Sequence, residues 1–210
     1  MIKVLNLYAG IGGNRKLWKD VEVTAVEYEP KIAKIYKHFF PEDKIIVTDA
    51  HKYLLEHYQE YGFIWSSPPC PTHSGINNLK FQQLDKGFKP RFPDMKLYEE
   101  IIFLKHWFKG KFVVENVKSY YDPLIKPFES NNHYFWSNFI IPNFPKDCRG
   151  IRSEGIEYKQ KRNGFNLENF ELPTSFKEKI LNNCVKPEVG LDIFNSAFRN
   201  VQTNLFGVEK

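Results

Sequence analysis

Three short stretches of this 210-residue chain carry side chains capable of chemistry, and each follows a strand-like run. The first is Ser66-Ser67-Pro68-Pro69-Cys70-Pro71-Thr72-His73-Ser74, after the run from Gly62 to Trp65. Its consecutive prolines fix the backbone and deny it a helix, so Cys70 is presented on a rigid loop instead of packing as a small core hydrophobe. The second is Glu115-Asn116-Val117, at the end of Lys111 to Glu115, which brings a carboxylate beside the cysteine if the two strands are neighbours. A thiolate and a carboxylic acid facing one ring combine covalent attack with proton donation. The third is Ala9-Gly10-Ile11-Gly12-Gly13, a bare-backbone turn that aims amides at a carboxylate or phosphate, or else simply a tight strand–helix connection. Glu27 and Asp49 end the next two runs. There a carboxylate can accept both hydroxyls of a ribose or a hydrogen bond from an exocyclic amine, though each acid alone is more often a solvated strand end.

In an open α/β sheet, ligands sit beyond the carboxyl ends of the strands, so these stretches meet only if the elements before them form such a sheet. Lys3 to Tyr8 reads as a buried strand, followed by the glycine turn and a helix to about Lys19. Val21 to Glu27 and Ile45 to Val47 are β-branched runs, while Lys31 to Phe40 and His51 to Tyr61 have helical spacing, the former stopping at Pro41. Gly62 to Trp65 and Lys111 to Glu115 are strands four and five, with the amphipathic segment Tyr98 to Phe108 between them. Strands alternating with helices imply right-handed βαβ units on a largely parallel sheet, hence an α/β fold. Tyr134 to Ile141 is a further strand, Pro142 to Pro173 is polar with weak periodicity, and Lys177 to Phe198 is helical with interruptions at Pro187 and Gly190. The expected organisation is an α/β core over 1–141, a small irregular region over 142–176 and a C-terminal helical segment over 177–210 packing back on the core. A smaller insertion lies between Ser74 and Asp94.

Taken in order, these motifs resemble those of the DNA cytosine-5 methyltransferase family, in a short form like compact phage or bacterial members. Leu7-Tyr8-Ala9-Gly10-Ile11-Gly12-Gly13 is similar to the family's F-A-G-x-G-G with Tyr8 for Phe, Pro68-Pro69-Cys70 to its nucleophile loop, and Glu115-Asn116-Val117 to its E-N-V motif. Asn182-Asn183-Cys184-Val185-Lys186-Pro187 is similar to G-N-S-V-x-P, and Glu27 and Asp49 stand where the second and third motifs place ribose and adenine contacts. The resemblance implies a Rossmann-like, S-adenosylmethionine-dependent methyltransferase sheet with a reduced recognition region. It implies Cys70 as nucleophile and Glu115 as the acid that holds the cytosine ring, with Pro68, Asn116 and Val117 shaping the pocket. S-adenosylmethionine, leaving as S-adenosylhomocysteine, would be held by Tyr8, Ala9, Gly10, Gly12, Gly13, Glu27, Tyr28, Asp49, Ala50, Pro69, Asn183 and Val185, without a metal. Tyr28 is either the stacking surface for adenine or a core tyrosine, and Cys148 and Cys184 read as local packing.

The chain departs from the family in three places. No clean Q-x-R-x-R occurs; Tyr158-Lys159-Gln160-Lys161-Arg162 is the nearest basic string, and the strand around Tyr134-Phe135-Trp136-Ser137-Asn138 holds that structural place without arginines. Pro71 replaces the usual glutamine, and the length excludes a full recognition domain. A net charge of +5 with 19 Phe, 11 Tyr and 4 Trp suits a phosphate-bearing partner with stackable bases, expected here to be double-stranded DNA. Lys80, Lys86, Lys89, Lys159 and Lys161 are expected on phosphates, and Arg91, Arg149, Arg152 or Arg162 on base edges. The recognised site is then short or degenerate, with room for a separate recognition partner.

Three cysteines without a C-x-x-C pair argue against a disulfide framework or a zinc ribbon. No apolar run approaches the roughly 20 residues of a membrane span, and the N-terminus lacks a signal-peptide pattern, so the expected location is the cytoplasm of a bacterial or phage-infected cell. Two other readings stay open: an RNA or modified-cytosine methyltransferase of the same mechanism, and a lapsed nucleic-acid-binding protein, against which intact Cys70 and Glu115 count. A dehydrogenase is excluded because the turn lacks G-x-G-x-x-G.

Overall fold

Apolar residues that alternate along the strand runs need cover on both faces of a sheet, and the computed structural model, which describes residues 1–75, 92–130, 132–144 and 154–199, shows how they obtain it. The strands are β1 (Ile2–Leu7), β2 (Val21–Glu27), β3 (Lys44–Val47), β4 (Phe63–Ser66), β5 (Lys111–Val117), β6 (Phe128–Ser130) and β7 (His133–Ser137). They form one sheet in the order β3-β2-β1-β4-β5-β7-β6. β1 to β5 are mutually parallel, whereas β7 runs antiparallel to both β5 and β6. The protein therefore has an α/β, Rossmann-like sheet with an antiparallel edge. The crossover direction reverses between β1 and β4, and the crevice at such a switch point is where ligands bind.

The helices are α1 (Pro30–Phe39), α2 (Ala50–His57), α3 (Lys96–Trp107), α4 (Ile156–Asn163), α5 (Thr174–Asn182) and α6 (Pro187–Phe198). Leu5, Leu7, Ile64 and Val114 point to one face, where they pack on Tyr53 and Leu54 of α2 and Leu97, Ile101 and Leu104 of α3. Val4, Phe63, Trp65, Val113 and Phe135 point to the other, against Trp18 and the Ile193, Phe194 and Ala197 side of α6. Among the described residues, no helix is long and apolar enough to cross a membrane.

Four elements differ from the sequence expectation. The segment after Gly13 is a chain of turns, not a helix to Lys19: Asn14 exchanges side-chain hydrogen bonds with Asn6 on β1, Arg15 pairs with Asp43 at 2.9 Å, and Trp18 inserts into the core. These tertiary contacts outweigh the modest helix propensity of so short a stretch. β6 arises as the antiparallel partner of β7, and α4 lies inside the polar stretch. Gly190 does not interrupt α6; a Cβ there would meet the backbone of Asn14, so glycine permits the helix to dock on that turn, where Trp18 Nε1 donates to Gly190 O at 3.0 Å.

Candidate active site

The glycine turn leaves β1 with Tyr8 at φ 54° and Gly10 at φ 55°, a left-handed region that glycine occupies without strain. A Cβ built on Gly10 meets nothing within 4 Å, so this backbone faces an open mouth. Glu27, at the end of the neighbouring β2, closes one side: its Oε2 accepts from Gly10 N at 3.0 Å and its Oε1 from Glu29 N at 2.9 Å. Tyr28 is 76% exposed, which removes the core-tyrosine reading. Asp49 N-caps α2, its Oδ1 accepting from Lys52 N at 2.9 Å, and that amide is the main reason its carboxyl lies below the ordinary range. Ala50 is buried behind it.

Beside this mouth, β4 and β5 are parallel neighbours with Ser66 opposite Val114, so the two other stretches emerge at the same edge. Asn116 Nδ2 donates to Pro68 O at 3.0 Å, tying the end of β5 to the proline loop. The amides of His73 and Ser74 both donate to Cys70 O at 3.0 Å, Tyr120 N donates to His73 O at 3.1 Å, and Ser74 bridges to Ser119. Cys70 thus heads a turn clamped on both sides, with its own side chain half-buried. Glu115 is buried, and its Oε1 lies 3.6 Å from Nε2 of His133 on β7. His73 is fully buried with Nδ1 2.6 Å from Tyr121 Oη, and burial pushes its imidazole below the usual range.

A family model for C-5 cytosine-specific DNA methylase matches residues 2–125, which contain the glycine turn, Glu27, Asp49, the Cys70 loop and Glu115, but not His133 of β7. The chain belongs to that family. No curated protein matches it significantly. It is similar to the solved Entamoeba histolytica methyltransferase EhMeth, at 16% identity over 56% of this chain and 38% of that one, TM-score 0.37. A variant of Spodoptera frugiperda DNMT2 is similar at 25% identity over 56% and 36%, TM-score 0.39. TrmN of Thermus thermophilus is similar at 14% identity over 55% and 33%, TM-score 0.36. At these TM-scores the likenesses carry no argument, and the fold stands on the sheet order. The matched part of this methylase-family chain spans under two fifths of the length of each of these structures.

The family's glycine turn divides its labour. Only Gly10 faces the mouth; a Cβ on Gly12 would meet Phe40 and Tyr36 of the α1 region, and one on Gly13 would meet Cys184 and the backbone of Val185. The missing Cβ at Gly12 therefore makes room for the α1 region, and that at Gly13 for the chain that follows α5. Asn183 is exposed beyond the end of α5, and burial pushes the Cys184 thiol up to about 12. Tyr8 is half-buried, Ala9 and Pro68 are buried, Pro69 is exposed, and Val117 lies opposite His133.

The basic string on α4 is corrected in one member. Lys159 is 2% exposed with Nζ 3.7 Å from Glu178, so it cannot reach a phosphate; the helix uses it to pack on α5, as it does Asn163, whose Nδ2 donates to Leu181 O at 3.0 Å. Lys161 is exposed and Arg162 half-buried. Lys80, Lys86, Lys89, Arg91, Cys148, Arg149 and Arg152 lie outside the described residues. Sequence reasoning gave no role to Glu100 and His51, whose Oε1 and Nδ1 lie 3.1 Å apart, or to the pairing of His73 with Tyr121. Among the described residues, no group of three His, Cys, Asp or Glu is arranged to hold a metal.

Proposed function

We propose that this chain is a DNA cytosine-5 methyltransferase working from S-adenosylmethionine through a covalent Cys70 adduct on a cytosine turned out of its duplex. The bond from Asn116 to Pro68 carries this reading, because it fixes the Cys70 loop and the Glu115 strand end at one edge beside the glycine turn. The mouth fits an adenosyl cofactor. Gly10 leaves it open, Glu27 is held by two amides with acceptor capacity left for ribose hydroxyls, the exposed Tyr28 ring suits adenine, and Asp49 suits its amine. The bound cofactor supplies an electrophilic methyl group.

Carbon 5 of cytosine is a poor nucleophile, and the protein's task is to activate it. Cys70 Sγ, as thiolate, forms a bond to carbon 6 while Glu115 donates its proton to N3, so the electron pair displaced by sulfur arrives at carbon 5 as an enamine. Once carbon 5 carries the methyl, its proton passes to water as the C6–S bond breaks and that bond's electron pair returns to sulfur as thiolate, and Glu115 recovers the N3 proton. A stacked base cannot present carbon 6 to a loop, so the nucleotide is extruded at a cost of a few kcal/mol.

Glu27→Ala is expected to weaken S-adenosylhomocysteine binding by roughly 10- to 150-fold, the worth of about 1.5–3 kcal/mol for a bond to a carboxylate. Loss of the Gly10 and Glu29 amide contacts places it towards the upper end. Asp49→Ser keeps an N-cap on α2 and isolates the amine contact, with an expected effect nearer 10-fold. Calorimetry showing both variants binding like wild type would move the cofactor elsewhere.

The activity itself is tested by incubating the protein with methyl-labelled cofactor and either mixed-sequence duplex DNA or transfer RNA. Label on carbon 5 of DNA cytosine, at short or degenerate sites, is expected. Label in RNA alone, or in neither, would overturn the proposal.

A further inference from the structure

Beneath the mouth lies a carboxylate with no role in the chemistry above. Glu100, in α3, is fully buried. Its Oε1 accepts from Tyr8 Oη at 2.5 Å and lies 3.1 Å from His51 Nδ1, and its Oε2 accepts from Ser66 Oγ at 2.6 Å. Tyr8 leaves β1 into the glycine turn, Ser66 ends β4 just before the proline loop, and His51 stands two residues after Asp49 on α2. One buried carboxylate therefore joins the walls of the crevice at the point where the sheet reverses direction.

From this geometry, and resting on the cofactor site proposed above, we propose that Glu100 is a positioning residue for the cofactor, with His51 as its charge partner. A buried carboxylate is costly unless paired and hydrogen-bonded, and a satisfied network of this kind has a single arrangement. Glu100 thereby holds the Tyr8 ring in its left-handed backbone setting and keeps the β1 and β4 ends at a fixed separation before any ligand arrives. A preformed mouth binds without the cost of ordering it.

His51 makes the arrangement sensitive to pH. The charged groups facing it are Glu100, Glu99 and Lys96 of α3, with Asp49 on its own side. Its hydrogen bond to Glu100 raises its proton affinity above the ordinary histidine value of 6.5. A raised value means the imidazolium supports Glu100 fully at and below that ordinary value and withdraws support as pH climbs through the raised one. Cofactor affinity should fall over the same interval.

The test measures the Kd of S-adenosylhomocysteine by calorimetry from pH 6 to 9, a binding readout independent of methyl transfer. Glu100→Gln should bind at least 10-fold more weakly at pH 7. His51→Gln, which keeps a hydrogen-bonding side chain beside Glu100 but cannot take the charge, should bind several-fold more weakly at low pH and lose the part of the pH dependence that wild type shows. A merely structural Glu100 would lower the melting temperature without moving Kd or its pH profile, and that result overturns the inference. If wild type itself fails to bind S-adenosylhomocysteine, the cofactor site is wrong and this inference falls with it; if wild type binds and both variants match it across the pH range, only the inference falls.

Discussion

Cys70→Ala is expected to abolish covalent capture of a substrate that wild type captures irreversibly. With duplex oligonucleotides carrying 5-fluorocytosine, methyl transfer proceeds to the point at which carbon 5 must shed a proton; fluorine cannot leave as a cation, so the C6–S bond persists and survives denaturation. The alanine variant has no sulfur at the head of the clamped turn, and the other described cysteine is no substitute. Cys184 sits against Gly13 on the far side of the glycine turn, and burial raises its thiol to about 12, so it is protonated at neutral pH. Multiple-turnover methylation should fall to background, because nothing else in the site makes carbon 5 nucleophilic. The half-buried Cys70 side chain adds little to the core, so the variant's unfolding transition should stay near that of wild type. An adduct of equal yield from Cys70→Ala, read as a shifted band on a denaturing gel, would remove Cys70 from the mechanism.

Two of the three stretches were legible because they join a strand run to residues with strong backbone preferences, glycines after β1 and prolines after β4, whereas Glu115-Asn116-Val117 is the end of β5 itself. Parallel order then brings those ends to one edge whatever the details of the helices. What was not legible lies on helix faces where a polar residue occupies a buried position. Glu100 follows Leu97 by three positions and precedes Leu104 by four, so it falls within the buried stripe of α3, yet beside Glu99 it reads as one of two solvated acids. Its place in the stripe was the available signal. α4 was hidden for the same reason: its buried positions are Lys159 and Asn163, an i,i+4 pair with no apolar character, so the hydrophobic periodicity that announces a helix is absent. The turns after Gly13 were misread because the contacts that prevent a helix there, of Asn14 with Asn6 on β1 and of Arg15 with Asp43 before β3, are tertiary contacts that local periodicity does not carry.

Glu115→Gln should slow the chemical step by about 10²–10⁴-fold while leaving cofactor affinity unchanged. The amide keeps the volume and can still hydrogen-bond the ring, but it has no proton to give N3, so sulfur attack at carbon 6 would have to build a ring anion unaided. Glu115 is buried at the end of β5, where solvent cannot readily supply the proton, and its Oε1 lies 3.6 Å from Nε2 of His133 across the β5–β7 pair. Asn116, next in the strand, is already committed to Pro68, which keeps the carboxyl and the Cys70 loop in one frame when the side chain at 115 changes. The substitution should therefore leave the loop clamp and the mouth at Gly10 in place, and any loss should appear in single-turnover rate, not in binding. A single-turnover rate within threefold of wild type would take the proton-donor role away from Glu115 and direct attention to His133, the other titratable group at that strand end.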